Sequence, residues 1–283
     1  MMNIGEGLKS GFEGLKDTSD TPQLDARVLL KEVLQKDDIF ILSHRDEIMS
    51  PVQERRYMEM IEARAQGKPV AYIIGYKEFM GFRFKVNEDT LIPRPDTEIA
   101  VELAIEEIRA RGYHEVLDLC SGSGAIGLSI AGILEFTNVT LSDINKGALC
   151  VSEENAEDIG VKDRVRFIHS DLFDKIPERF DLIISNPPYI NERDMRDLSD
   201  SVRNYEPHTA LYGGVQGLDF YRRISQEARE HLTNHGMLIF EIGYDQSQEV
   251  ERMLKENGFE NIKTVNDLAG HHRVVSGELI PET

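Results

Sequence analysis

Tryptophan is absent from this 283-residue chain, and cysteine occurs only twice, at Cys120 and Cys150. Two thiols cannot build a disulfide framework, and no Cys/His grouping has the spacing of zinc ligands. Long apolar runs are missing too: no uninterrupted stretch approaches the ~20 residues needed to cross a bilayer. Residues 1–16 lack the basic start and apolar run of a signal peptide. These absences predict a soluble protein of a reducing compartment, the cytoplasm, without a membrane partner. Basic residues are scarce, with 32 Lys and Arg against 51 Asp and Glu and a net charge of −19. That sign repels phosphate backbones and excludes a broad nucleic-acid surface, so no direct DNA binding is expected. The imbalance is local: residues 1–85 hold 13 basic against 14 acidic, residues 86–283 hold 19 against 37. Uneven charge and length together point to two modules. A hydrophobic content of 40% suffices for a sizeable core.

What is present divides the same way. Residues 20–65 carry helical periodicity through Leu24, Val28, Leu29, Leu30, Val33 and Leu34, after the start signal Asp20-Thr21-Pro22. A second helix opens at Ser50-Pro51 and ends near Gly67. Residues 1–68 therefore read as a small helical domain. In 69–97, Phe82, Phe84 and Val86 alternate with Arg83 and Lys85, as in a hairpin strand. A stiff proline loop follows, with Asp96 or Thr97 placed to cap a helix over 99–109. From residue 98 onward, strands expected at 116–119, 139–143, 164–168, 180–185 and 236–242 alternate with helices at 125–134, 217–232 and 246–256. A last strand pair is expected at 262–265 and 273–275. Such alternation predicts a doubly wound α/β sheet that binds ligands at the strands' carboxyl ends.

Two motifs fall at those ends. Asp118-Leu119-Cys120-Ser121-Gly122-Ser123-Gly124 follows a strand and opens a helix, and Asp143 ends the next strand, placed to accept ribose hydroxyls. A nucleoside cofactor fits this pattern. NAD and S-adenosylmethionine compete, since Gly122-x-Gly124-x-x-Gly127 also satisfies the dinucleotide string. However, an acid at 118 suits a cationic amino-acid end better than a pyrophosphate. Asn186-Pro187-Pro188-Tyr189, directly after the fourth strand, decides between them. Its prolines remove two N–H donors, leaving the Asn186 side-chain oxygen and the Pro187 carbonyl as a pair of acceptors for a planar NH2 group. Tyr189 can stack on that group while its nitrogen meets an electrophilic methyl. Arg94, between two prolines, either binds substrate or orders its loop.

Asn-Pro-Pro-Tyr with the upstream Asp-x-x-x-Gly-x-Gly loop resembles the amino-methylating, S-adenosylmethionine-dependent methyltransferases. Further strings narrow the likeness. Glu78-Phe79-x-Gly81-x-x-Phe84, Leu91-Ile92-Pro93-Arg94-Pro95-Asp96-Thr97-Glu98, Tyr205-Glu206-Pro207, Glu241-Ile242-Gly243 and Asp267-Leu268-x-Gly270-x-x-Arg273 occur in order. From about residue 67 to 275 the chain resembles the HemK-type (PrmC) peptide chain release factor N5-glutamine methyltransferases. The resemblance implies a Rossmann-like methyltransferase fold over 98–283, with a mostly parallel seven-stranded sheet. It also implies a helical substrate-recognition domain over 1–68 and a connecting β-hairpin over 69–97. It implies methyl transfer from S-adenosylmethionine to the glutamine of the Gly-Gly-Gln motif in class I release factors. A monomer is expected. The cofactor would lie against Asp118, Cys120, Ser121, Gly122, Ser123, Gly124, Asp143, Asp171, Leu172 and Asn186. Asn186, Pro187, Pro188, Tyr189 and Arg94 would face substrate, with Asn186, Pro187 and Tyr189 catalytic. Cys120 stands where the family usually has glycine, and Leu172 where many members carry an aromatic beside adenine. The competing reading is an adenine-N6 methyltransferase using the same tetrapeptide on a flipped base, which the acidic second half opposes.

Overall fold

The computed structural model describes residues 1–280. Its chain divides into two units, Met1–Tyr76 with Ser199–Tyr205, and Lys77–Leu198 with Glu206–Thr283. No helix among the described residues is long and apolar enough to cross a membrane.

The first unit is helical: α1 (Ile4–Leu15), α2 (Pro22–Leu34), α3 (Asp38–Ser43), α4 (Pro51–Ala65) and α5 (Val70–Ile74), with the short helix Asp200–Tyr205. Ile4, Leu15, Leu29, Leu30, Ile41 and Tyr57 form its core. The start expected at Pro22 and the Ser50-Pro51 opening are found, the latter as a reciprocal Ser50/Gln53 capping box. Helix α1 was not expected from the sequence, because Gly5, Gly7, Gly11 and Gly14 lower its intrinsic propensity. Packing explains one of them: a Cβ on Gly11 would lie 2.0 Å from the Tyr57 hydroxyl and 2.9 Å from Ala26 Cβ. The glycine lets α1 lie close to the helices bearing those residues.

The second unit begins within the hairpin of β1 (Tyr76–Phe79) and β2 (Phe82–Lys85), where Phe79 and Phe84 are buried edge to face at 6.0 Å. Its sheet contains β3 (Glu115–Leu119), β4 (Asn138–Asp143), β5 (Val165–His169), β6 (Phe180–Ser185), β7 (Leu232–Glu241), β8 (Phe259–Asn266) and β9 (His272–Leu279). The order is β5-β4-β3-β6-β7-β9-β8, parallel except for β9, which runs antiparallel to both neighbours. Strand residues alternate between two cores. Val116, Leu182, Ile184 and Ile239 join α6 (Glu98–Arg111) and α7 (Ala125–Ile133) on one face. Leu117, Ile183, Leu238 and Phe240 join the helices Asp219–Glu227 and Ser247–Glu256 on the other. Both faces are covered, as a doubly wound sheet requires.

Three local expectations are corrected. Neither Asp96 nor Thr97 caps α6 through its side chain; Asp96 instead pairs with Arg273 at 3.1 Å. The helix expected over 217–232 ends at Glu227 and passes through a 3-10 turn, Ala228–Glu230. Strand β7 begins at Leu232 rather than 236, because Leu232 pairs with Phe180 ahead of a register shift. The turn-like string Asn234-His235-Gly236 hides that start.

Candidate active site

Strand register assembles the site. Leu119 is level with Ser142 on β4 and with Ser185 on β6. The next residue of each strand, Cys120, Asp143 and Asn186, therefore emerges side by side at the carboxyl edge. Strand order reverses here, between β3 and β6, which is where open α/β sheets bind ligands.

A cavity of about 300 Å³ opens at this edge. Cys120, Gly122, Asp143, Asp171, Leu172, Asn186 and Pro188 line it, from four separate stretches of the expected site. Asp118, Ser121, Ser123, Gly124, Pro187, Tyr189 and Arg94 are not on its wall. Asp118 is wholly buried; its Oδ2 accepts from Gly127 N–H at 2.8 Å, and its Oδ1 has no partner among the described residues. Burial, with Asp143 nearby, pushes its pKa up to about 7. Asp143 Oδ2 accepts from Gly122 N–H and its Oδ1 from Asn145 N–H, both at 2.8 Å. Burial raises its pKa while those backbone donors oppose the rise. Each oxygen keeps a second lone pair for a hydroxyl donor.

Cys120 adopts φ +63°, the left-handed region where glycine is at ease. Its thiol is held well above the ordinary range by burial and the nearby Asp143. Leu172 is also left-handed, at φ +45°, and buried against the wall. Phe173 stacks on His231 at 4.4 Å. The Asn186 side chain is half-buried and meets no hydrogen-bond partner among the described residues. Pro187 and Pro188 are buried, and burial pushes the Tyr189 hydroxyl up to about 12. Arg94 donates to the carboxylate of Glu206, whose other oxygen accepts from Ile92 N–H at 3.1 Å. This pairing orders the proline loop.

Several wall residues were not anticipated. Ile144, directly after Asp143, is exposed, and an apolar residue following a strand-end acid is a usable signal. Phe220 and Arg223 come from the helix Asp219–Glu227, and Arg223 pairs with Asp171 at 3.0 Å. Their helical spacing reads as ordinary packing. Asn155 was missed as well: its buried amide donates to the carbonyls of Ser123 at 2.9 Å and Lys85 at 3.1 Å, tying the glycine loop to the hairpin. The apolar walls and the lone pairs of Asp143 suit a flat nucleoside with ribose hydroxyls. The unpartnered Asp118 oxygen adds buried negative character that a cation would relieve. These residues fit S-adenosylmethionine.

The family model described as the PrmC N-terminal domain matches residues 6–75, and that of the methyltransferase small domain matches 94–201. The release factor glutamine methyltransferase of Clostridium acetobutylicum is 42% identical over 278 residues, 97% of this chain and 98% of that protein. The enzyme of the same name from Aliivibrio fischeri is 38% identical over 282 residues, 99% and 98% of the two chains. A crystal structure of a methyltransferase from Pyrococcus furiosus is similar in fold, with TM-score 0.51 and 16% identity over 71% of this chain and 90% of that one.

Proposed function

The chain belongs to the release factor glutamine methyltransferase family, and from that premise we propose that it methylates the side-chain amide N5 of the Gly-Gly-Gln glutamine in class I release factors. The methyl donor is S-adenosylmethionine. One observation carries the reading: the tetrapeptide leaves β6 beside the cavity, with Asn186 and Pro188 on its wall and the Asn186 side chain without a hydrogen-bond partner among the described residues.

When bound, S-adenosylmethionine supplies an electrophilic methyl and takes back the electrons of the broken carbon–sulfur bond. Asp143 would hold the ribose hydroxyls. Leu172 and Ile144 would give apolar surface to the base, and Cys120 and Gly122 of the glycine loop would meet the amino-acid end. The substrate amide nitrogen is a weak nucleophile, because its lone pair is shared with the carbonyl. Asn186 Oδ1 and the Pro187 carbonyl would accept its two N–H groups, fixing the NH2 plane. Orientation is then the main contribution to rate. The same acceptors favour the positive charge that develops on nitrogen. Burial pushes the Tyr189 hydroxyl up to about 12, which suits a stacking surface better than a base. No residue is assigned as general base, and the proton leaves to solvent after transfer. The family's action on a translation factor supports a place of action in the cytoplasm.

Single-turnover methylation of a release factor, read by mass spectrometry of the Gly-Gly-Gln peptide, tests the proposal. Asn186→Ala is expected to lower kcat by roughly 100- to 1000-fold, about 2.7–4 kcal/mol, with cofactor affinity little changed. A wild-type rate in that variant means the tetrapeptide is only a turn. Methylation of DNA or rRNA in place of release factor would turn the assignment to the adenine-N6 class.

A further inference from the structure

Two prolines leave the tetrapeptide with few N–H groups of its own, so its orientation has to be set through its carbonyls. Gln246, 8% exposed and outside the cavity wall, does this. Its Nε2 donates to the Tyr189 carbonyl at 3.0 Å and to the Gly217 carbonyl at 3.2 Å. Its Oε1 accepts from Gly243 N–H at 2.9 Å. That oxygen also lies 3.3 Å from the Tyr221 hydroxyl, whose one proton it shares with the Glu241 carbonyl at 3.0 Å. Two carbonyls on one side and a backbone N–H on the other allow only one orientation of the amide. One buried side chain thus joins the end of the tetrapeptide to the 217 turn and to the loop after β7.

The surrounding backbone is shaped for the same purpose. Ile190 N–H donates to the Leu211 carbonyl and Gly213 N–H to the Ile190 carbonyl, both at 2.9 Å. A Cβ on Gly213 would lie 2.5 Å from the Pro188 carbonyl oxygen. On Gly217, at φ +72°, it would lie 2.2 Å from the Tyr189 carbonyl oxygen and 2.8 Å from Gln246 Nε2. Only a chain without side chains at these points runs so close behind the tetrapeptide.

We infer that Gln246 is a positioning residue for methyl transfer. By pinning the Tyr189 carbonyl it sets the direction in which Asn186 and Pro187 present their acceptors, and it does so without touching cofactor or substrate. The inference rests on the function proposed above. It requires that loss of the pin misaligns the substrate amide in the transition state while leaving the cofactor cavity intact.

The test compares wild type, Gln246→Met and Gln246→Glu in the full chain. Cofactor affinity is read by calorimetry, thermal stability by melting, and kcat and KM on a release factor by methylation kinetics. Gln246→Met keeps the length and removes every hydrogen bond. Its kcat is expected to fall by about 100-fold, the scale of a small misplacement of reacting groups, with KM and cofactor Kd within about threefold of wild type. Gln246→Glu keeps the acceptor for Gly243 N–H but sets an oxygen against the Tyr189 and Gly217 carbonyls. It is expected to lose at least as much kcat, and it carries the test should Gln246→Met fail to fold. A folded variant with wild-type kcat overturns the inference. So does a loss that appears in cofactor Kd and melting temperature instead of kcat. A wild-type chain that binds cofactor but leaves the release factor unmethylated overturns the proposed function itself.

Discussion

Asp118 carries a carboxylate that the fold only half satisfies. One oxygen has the Gly127 amide and the other has no partner among the described residues. Burial raises its pKa from the usual aspartate value of 3.8 to about 7, so the folded chain holds this proton more tightly than the unfolded chain. Its contribution to stability is fully present below pH 3.8 and is lost as pH rises through about 7. Glu241, buried with one oxygen unpartnered, is raised to about 7 and acts in the same direction. Asp118→Asn keeps an acceptor for Gly127 and removes the charge. In the ligand-free protein it should therefore raise stability at pH 8 by roughly 1–3 kcal/mol and change it little at pH 4. The same variant should bind S-adenosylmethionine more weakly if the buried charge attracts the sulfonium and ammonium groups at a distance, since Asp118 itself is not on the cavity wall. Denaturant melts at the two pH values and a calorimetric titration read both effects. An unchanged difference between the melts would show that ionised Asp118 is not what burdens the fold at high pH.

Among the elements, the glycine loop depends on a helix that does not border it in sequence. α8 (Lys146–Ile159) carries Asn155, fully buried, whose Oδ1 accepts from Lys85 N–H at 2.7 Å and whose Nδ2 serves the Ser123 and Lys85 carbonyls. Asn155→Ala strands a buried N–H and two carbonyls, at a cost of roughly 1–3 kcal/mol each where water cannot reach. A lowered melting temperature and a weaker cofactor Kd are expected together, and loss of stability with an unaltered Kd would separate hairpin from loop. Asn155 was illegible in the sequence because an asparagine inside an acidic helix reads as solvated surface. Asp143, by contrast, was legible, since an acid that ends a strand after a glycine loop has few other uses. Strands and their order of appearance were readable because apolar runs ended in turn residues. Helix α1 was not, since its glycines serve contact with Tyr57 and Ala26, and long-range contact leaves no local signal. The cavity wall divided similarly. Residues at strand ends, Cys120, Asp143 and Asn186, were found, whereas Phe220 and Arg223 reach it from a helix with an ordinary amphipathic pattern.

For the molecule as a whole, every residue of the cavity wall lies in the second unit. The first unit exposes Ile39, Leu42, Ile48 and Val52, large apolar side chains that its own core does not use. A chain beginning at Lys77 is therefore expected to bind cofactor yet to methylate intact release factor at least roughly tenfold less efficiently, about 1.4 kcal/mol of lost recognition. Equal kcat/KM for the shortened and full chains would leave the helical unit without a part in substrate selection. The missing tryptophan has an experimental use. Phe220 is half-buried on the cavity wall, in a chain whose only other chromophores are phenylalanine and tyrosine. Phe220→Trp would place a single indole at the edge of the cavity, and emission excited at its red edge would come from that one position. A ligand seated there would displace water from the ring, so the emission should move to shorter wavelength as S-adenosylmethionine is added and stay fixed with NAD. A spectrum that S-adenosylmethionine leaves unmoved would place the ligand away from this wall.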